Sequence, residues 1–335
     1  MREPAFWQRP GGGLPGRMLE PLARLHGQLR KLHAGWMLGR MPCAGLPVIL
    51  VGGLRVGGSG KTPFVRLLRR ILQERGAMPH VLIRGYGGRL RGVHGTGRAC
   101  AGVGGADMDT DTRMFGDEAV LHALDGPVWV GADRVLAAAR AKAEGASHAI
   151  LDDGMQGYRL RPDLTFLVID GGNPLGNGRL LPAGPLRESP SDAAARADAL
   201  VIIASGAVPS FWPVSKPVFR FTRRLLCPID LRGAPLDILT GIADPARFRR
   251  DLEGLGACIE RHVACPDHHH FRESELHSLH QQARGRAIVT TRKDWLRLDA
   301  RWRERIVPVD LELVAERPGA LEGWIGDRMD FAGTG

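Results

Sequence analysis

Residues 52–63 of the chain read GGLRVGGSGKTP, directly after the apolar run Leu46, Pro47, Val48, Ile49, Leu50 and Val51. Glycines let backbone N–H groups crowd around an anion, a lysine neutralises phosphate oxygens, and a threonine hydroxyl can ligate a divalent cation. Arg55, Val56, Gly57, Gly58, Ser59, Gly60, Lys61 and Thr62 are therefore expected to cradle a nucleoside triphosphate. Lys61 would sit on the phosphate oxygens and Thr62 on Mg²⁺. Phe64, Leu67, Leu68 and Ile71 then recur at helical spacing, so a helix N-terminus should face the same anion. The strict pattern places glycine five residues before Gly60, where this chain has Arg55, and Gly57 and Gly58 supply the tight turn instead. A plain glycine-rich surface turn is the alternative. The coincidence of strand, turn, lysine, hydroxyl and helix argues against it.

Three further groups carry candidate chemistry. His148, Ala149, Ile150 and Leu151 form an apolar strand ending in Asp152 and Asp153, and an acid at such a strand end can hold Mg²⁺ beside a phosphate loop. Adjacent strand residues point to opposite faces, so one of the two should face the metal directly. Asp117 and Glu118 open a helical stretch, which suits either an active-site acid or an N-cap. Asp267, His268, His269 and His270 put a carboxylate beside three imidazoles. Consecutive residues chelate one metal poorly, so a proton-tuning Asp–His pair or a solvated loop fits better than a zinc site. Asp107, Asp109 and Asp111 imitate a calcium loop, but Thr112 occupies the position that needs glycine.

These groups need a scaffold. Short apolar runs at 81–83, 128–130, 149–151, 165–169 and 200–203 alternate with helical patterns at 118–124, 134–144 and 191–198. Continuous rather than alternating apolar strands indicate a parallel sheet covered on both faces. Pro209, Pro213 and Pro217 mark 208–224 as a linker, and a smaller α/β pattern follows with strands at 238–242, 258–263 and 287–290 and helices at 245–255 and 273–283. The expected organisation is an N-terminal segment over 1–45, a phosphate-loop domain over 46–207, and a smaller α/β domain over 225–335 whose last residues can pack back on the first. In the N-terminal segment Met18, Leu22, Leu25, Leu29, Leu32 and Trp36 share one helical face, with Arg17, Arg24, Arg30, Lys31 and Arg40 elsewhere. A basic amphipathic helix of this kind suits a bilayer interface, and packing onto the core is the alternative.

Composition bounds the rest. With 335 residues, 44% of them hydrophobic and 24% charged, the chain is a globular protein with ample core. A formal net charge of +10 favours anionic partners. Five cysteines with no C-x-x-C pair suit reduced thiols better than a disulfide framework. No apolar run approaches the roughly 18 residues of a membrane span, and no secretory signal is evident. Nucleic-acid binding would rest on net charge alone, since 6% of residues are aromatic and no stacking motif is present.

In order, the chain carries VGGLRVGGSGKTP at 51–63, RGYGG at 84–88, GDE at 116–118, ADR at 132–134 and LDDGMQ at 151–156. NGRLLPAGPLRE at 177–188, GIADPARF at 241–248, PDHHHF at 266–271 and TTRKD at 290–294 complete the set. Together these resemble the tetraacyldisaccharide 4′-kinase family, the lipid A 4′-kinases of Gram-negative bacteria. The resemblance implies transfer of the γ-phosphoryl of ATP to the 4′-hydroxyl of an acylated glucosamine disaccharide 1-phosphate. The implied fold is a P-loop NTPase-type parallel sheet domain with a second, smaller α/β domain, alongside the N-terminal amphipathic helix. By motif match, Asp117 is the candidate general base and His268 its partner from the second domain, with Lys61 on the phosphates. Thr62, Asp152, Asp153 and Glu118 map onto metal and phosphate positions, and Tyr86, Arg134, Gln156, Arg187 and Asp267 onto other active-site positions. ATP, Mg²⁺, the lipid and the cytoplasmic face of the inner membrane are the implied partners, reached as a peripheral protein without nucleic acid or an obligate protein partner. Domain closure would bring Asp117 and His268 together. Three positions depart from the family pattern: Gly53 for Asn, Met155 for Phe, and Arg292 for an acid. The rival is a phosphate-loop ATPase or GTPase acting as a switch or metallochaperone, which the acceptor-side motifs oppose.

Overall fold

The computed structural model describes residues 4–85, 88, 92–95 and 108–329. Tyr86, Cys100 and Asp107 lie outside them. The first half runs α1 (Gly13–Met18), α2 (Glu20–Leu38), β1 (Val48–Gly53), α3 (Lys61–Glu74), β2 (Pro79–Ile83) and β3 (His94–Gly95). It continues with α4 (Met108–Phe115), α5 (Asp117–Ala123), β4 (Val128–Val130), α6 (Arg134–Ala143), β5 (His148–Asp152), β6 (Leu164–Asp170), α7 (Pro190–Arg196) and β7 (Ala199–Ile203). The second half runs β8 (Val218–Leu226), β9 (Pro235–Thr240), α8 (Pro245–Gly254), β10 (Cys258–Ala264), α9 (Glu273–Ala283) and β11 (Ala287–Thr291). Short helices α10 (Arg292–Trp295) and α11 (Ala300–Arg303), strand β12 (Ile306–Ala315) and helix α12 (Ala320–Gly326) end it.

Among the described residues the strands join in one sheet of order β10-β9-β11-β12-β8-β7-β6-β1-β5-β2-β4-β3. β1 lies between β5 and β6, all parallel and wholly buried, as continuous apolar runs require. Successive β1 residues serve opposite faces: Ile49 and Val51 join Phe64, Val65 and Leu68 of α3, while Val48 and Leu50 join Ala137, Ala138 and Ala141 of α6. Leu321 and Ile325 of α12 pack into the α3 side, and Trp324 meets Phe166 edge to face at 5.7 Å. The second half has smaller cores on either side of β9, one holding Ile238 and the other Leu239.

The expectation of a linker over 208–224 is corrected in its later part. Residues from Val218 onward form β8, which runs parallel to β7 and antiparallel to β12 and so joins the two halves into one sheet. Three prolines before it and a polar outer face hid the strand. Residues Met108–Phe115, where the acidic spacing imitated a calcium loop, form helix α4.

A carboxylate also ties the halves together. Asp170, ending β6, accepts from Arg223 of β8 at 3.2 Å and pairs with Arg247 of α8 at 2.6 Å. Burial would push its carboxyl up, but Arg247 and Arg223 outweigh that and hold it below the usual range. A depressed folded value means stabilisation that is full above about pH 4, near the unfolded carboxylate value, and fades as pH falls through the folded one. Asp170→Asn is therefore expected to lower unfolding free energy by about 1–3 kcal/mol at neutral pH. Urea melts at pH 7 and pH 3 should show that gap and then its narrowing.

Helix α2 turns its apolar stripe outward. Leu32 and Trp36 are 72% and 61% exposed, and Leu22, Leu25 and Leu29 are also exposed, as is Met18 at the end of α1, so the core-packing alternative fails. The opposite face docks: Ala23 is buried, and Gly27 sits where a Cβ would come 2.7 Å from Leu180 Cδ1. Glu20 pairs with Arg179 and Lys31 with Asp192. Among the described residues no helix is long and apolar enough to cross a membrane, and Cys43, Cys227, Cys258 and Cys265 are free thiols.

Candidate active site

The phosphate loop leaves β1 at Gly53 and enters α3 at Lys61. Gly57 and Gly60 take φ of +98° and +86°, a region that disfavours any Cβ. A Cβ on Gly60 would in addition meet Ile203 Cδ1 at 2.5 Å. Arg55 needs no such freedom, because it bridges Leu186 in extended backbone and its Nη1 donates to the Asn173 carbonyl at 2.6 Å. The next residue, Val56, donates its N–H to the Pro185 carbonyl at 3.0 Å. The 173–187 segment therefore braces the loop from outside. A Cβ on Gly53 would lie 2.9 Å from Ser59 Oγ and 3.4 Å from Lys61 Nζ, so glycine here lets both side chains close in.

Lys61 Nζ lies 3.4 Å from Ser59 Oγ and 3.9 Å from Asp153 Oδ1. Thr62 Oγ1 lies 3.5 Å from Asp152 Oδ2, which also meets His122 Nε2 at 2.8 Å. Asp153 has a left-handed φ of +58° and receives Arg187 Nη1 on both oxygens at 2.7 Å. Burial would raise its carboxyl, but Lys61, Arg187 and Arg134 win and keep it anionic. Gln156 clamps the strand ends, donating to the Gly53 carbonyl at 3.0 Å and to Glu188 Oε1 at 2.7 Å. Arg134 is buried and donates to the Gly131 carbonyl at 2.8 Å. Burial pulls it down to about 10 against the pull of Asp152 and Asp153. Met155 packs against Gly52, which has no room for a Cβ beneath it.

A second cluster stands at the start of α5. Asp117 is 4% exposed, and its Oδ2 meets His268 Nδ1 at 3.1 Å, Arg297 Nε at 3.0 Å and Lys293 Nζ at 3.6 Å. Burial alone would raise the Asp117 carboxyl. His268, Lys293 and Arg297 reverse that and hold it far below the usual carboxylate range. His268 is half-exposed, adopts φ of +60°, and is fixed by its own N–H on the Gly241 carbonyl at 3.0 Å. A non-glycine residue in that region is strained, and such strain persists where surrounding contacts impose it. Asp267 Oδ2 lies 3.7 Å from His268 Nε2. Glu118 faces Lys293 at 3.5 Å rather than Thr62 or Asp152 among the contacts present.

Helix α5 links the clusters, with Asp117 at its start and His122 near its end against Asp152. Five residues of helix set them about 7.5 Å apart along its axis. His122, Lys293 and Arg297 were not among the expected site residues. The available signal for Arg297 was its i,i+3 spacing from Asp294 just after TTRKD. Arg292, the unexpected cation of that motif, turns to Asp310 at 3.2 Å and stacks on Trp295, so its charge is neutralised outside the cluster.

The donor set suits a magnesium–nucleotide complex. A hydroxyl and a carboxylate 3.5 Å apart beside a glycine loop are hard oxygen ligands, and Mg²⁺ is ordinarily held by one or two of these plus phosphates. Asp153, with both oxygens on Arg187, is better placed to organise Lys61.

The family model for tetraacyldisaccharide-1-P 4′-kinase (LpxK) matches residues 16–330. The tetraacyldisaccharide 4′-kinase of Bradyrhizobium sp. strain BTAi1 is 42% identical over 307 residues, spanning 89% of this chain and 85% of that relative. The protein of the same name from Parvibaculum lavamentivorans is 39% identical, spanning 90% of each. The crystal structure of LpxK from Aquifex aeolicus in complex with ATP aligns with a TM-score of 0.77 at 27% identity, covering 94% of this chain and 99% of that one.

Proposed function

The chain belongs to the tetraacyldisaccharide-1-P 4′-kinase family, and from that premise we propose how its own residues carry the transfer. It is a kinase that moves the γ-phosphoryl of ATP to the 4′-hydroxyl of tetraacyldisaccharide 1-phosphate, in lipid A biosynthesis. The switch or metallochaperone alternative is not favoured.

Backbone N–H groups of 57–60 and the start of α3 hold the triphosphate, while Lys61 sits on its oxygens. Thr62 and Asp152 would hold Mg²⁺, which would supply charge neutralisation to the phosphates. His122 fixes the rotation of Asp152, and Arg187 with Asp153 aims Lys61. Asp117, which the motif match made the base, is held as a carboxylate by Arg297 and Lys293 and instead orients the imidazole, so the 4′-hydroxyl proton passes to His268 Nε2 as the phosphoryl leaves ATP. Tyr86 is assigned to the neighbourhood of the acceptor sugar by motif match alone. The observation that carries this reading is the 3.1 Å meeting of Asp117 and His268 across the two halves. Pure nucleotide hydrolysis has no need of such an acceptor-side pair. Incubation with γ-labelled ATP and the tetraacylated disaccharide 1-phosphate should place label on the lipid. Release of inorganic phosphate alone would overturn the assignment.

Because the acyl chains reside in a bilayer, the acceptor must be met at its surface. We assign that task to the outward stripe of α2, with its cationic flanks on anionic headgroups at the cytoplasmic face of the inner membrane. Each large apolar side chain on the stripe would contribute about 1–2 kcal/mol on burial. Leu25→Asp, Leu29→Asp and Leu32→Asp together should weaken sedimentation with anionic vesicles by at least about 100-fold. Unchanged sedimentation would remove this role from α2.

A further inference from the structure

Arg297 comes from the segment after α10 in the second half and is 5% exposed. Its Nε donates to Asp117 Oδ2 at 3.0 Å, and its Nη2 closes on the same oxygen. Its Nη1 donates to the Gly241 carbonyl at 3.0 Å and to Asp294 Oδ1 at 2.8 Å. Asp294 is pinned in turn, its other oxygen accepting from the Gly241 N–H at 3.0 Å and the Thr291 hydroxyl at 2.8 Å. The guanidinium is thus a fixed bracket whose prongs all have partners. The oxygen it grips is the one that meets His268 Nδ1.

Resting on the kinase reading above, we infer that Arg297 is a positioning residue of the transfer site, fixing Asp117 Oδ2 where it holds the His268 ring toward the acceptor. A guanidinium needed only for stability would already be neutralised by Asp294. The additional reach to Asp117 spans the two halves and ends on the oxygen that orients the imidazole. Lys293, Glu118 and Asp267 flank the cluster, and Lys293 Nζ at 3.6 Å offers Asp117 charge without the fork. A planar guanidinium can grip Asp117 while holding Gly241 and Asp294, whereas an ammonium on a flexible stem cannot.

The test measures phosphoryl transfer to the tetraacylated disaccharide by wild type, Arg297→Met, Arg297→Lys, Asp117→Asn and the double variant Arg297→Met with Asp117→Asn. Misplacement of an orienting group should lower kcat by about 100-fold in Arg297→Met, with KM for ATP within about twofold. Arg297→Lys should recover part of the loss. In the Asp117→Asn background the Arg297→Met change should cost less than about threefold more, because the two act as one unit. The double variant leaves no anion facing a missing cation at that contact and keeps the comparison available should Arg297→Met fold poorly. Wild-type-like kcat in Arg297→Met, losses that multiply fully in the double variant, or a loss confined to KM for ATP would each overturn the inference. Wild type that moves no label to lipid would instead overturn the kinase reading, and this inference with it.

Discussion

Lys61→Ala should reduce kcat/KM by about 10³-fold or more while leaving the fold intact. Lys61 is the cation that the phosphate loop presents at the mouth of α3, and its surroundings hold it there rather than merely tolerate it. Ser59 Oγ at 3.4 Å, Asp153 at 3.9 Å and the bare Cα of Gly53 define the channel its side chain occupies. Charge on the transferring group spreads over its equatorial oxygens, so a fixed ammonium stabilises the transition state more than the ground state. Removing it leaves Asp153 still paired with Arg187, so stability should change little. Lys61→Arg should not restore activity, because the larger planar head does not fit a channel lined by Ser59 and Gly53. Steady-state kinetics beside circular dichroism will check this, and a Lys61→Ala enzyme within about tenfold of wild type would contradict it.

The second large effect is expected at the pair that joins the two halves. His268→Gln and Asp117→Asn should each lower kcat by about 10²–10⁴-fold, the range for general base catalysis, with KM for ATP little changed. The double variant should be no worse than about the poorer single one. The Asp117 carboxyl is held far below the usual range by His268, Lys293 and Arg297 against the upward push of burial. A depressed folded value places its stabilisation above the unfolded value of about 3.9, to be lost only as pH falls through the folded one. Mild acid should therefore leave Asp117 a carboxylate with its contacts intact. The far-ultraviolet spectrum should stay native from neutral pH down to about pH 5, and loss of the native spectrum in that range would contradict this.

The parts of this account that were legible in sequence share a physical reason. The parallel strands are buried on both faces and so read as unbroken apolar runs, and β4 falls where Val128 to Val130 placed it. The phosphate loop was legible because anion binding by backbone demands glycine at a few turns, here Gly57 and Gly60. β8 was not legible, because one face of it carries Arg220, Thr222 and Arg224, and Arg223 interrupts the apolar residues of the other. Asp117 and His268 could be paired only through the family resemblance, since nothing in local spacing joins residues 151 positions apart. Arg297 was missed for the same reason: its i,i+3 spacing from Asp294 does not reveal the grip on Asp117, 180 positions away. Arg292 would have added charge to the cluster on a reading of TTRKD alone, and only the position of Asp310 on β12 shows where that charge is spent.

On the reading proposed above, the pocket around Lys61 delivers a phosphoryl group to one particular oxygen of a lipid. Mass-spectrometric mapping of lipid recovered after reaction of the purified protein with tetraacyldisaccharide 1-phosphate, Mg²⁺ and ATP carrying ¹⁸O on its γ-phosphoryl identifies that oxygen. Wild type should add one isotope-bearing phosphate to the distal sugar at the 4′-oxygen, and Lys61→Ala should form it at least about 10³-fold more slowly. Phosphate found elsewhere on the lipid, or formed equally by the Lys61→Ala protein, would contradict that reading.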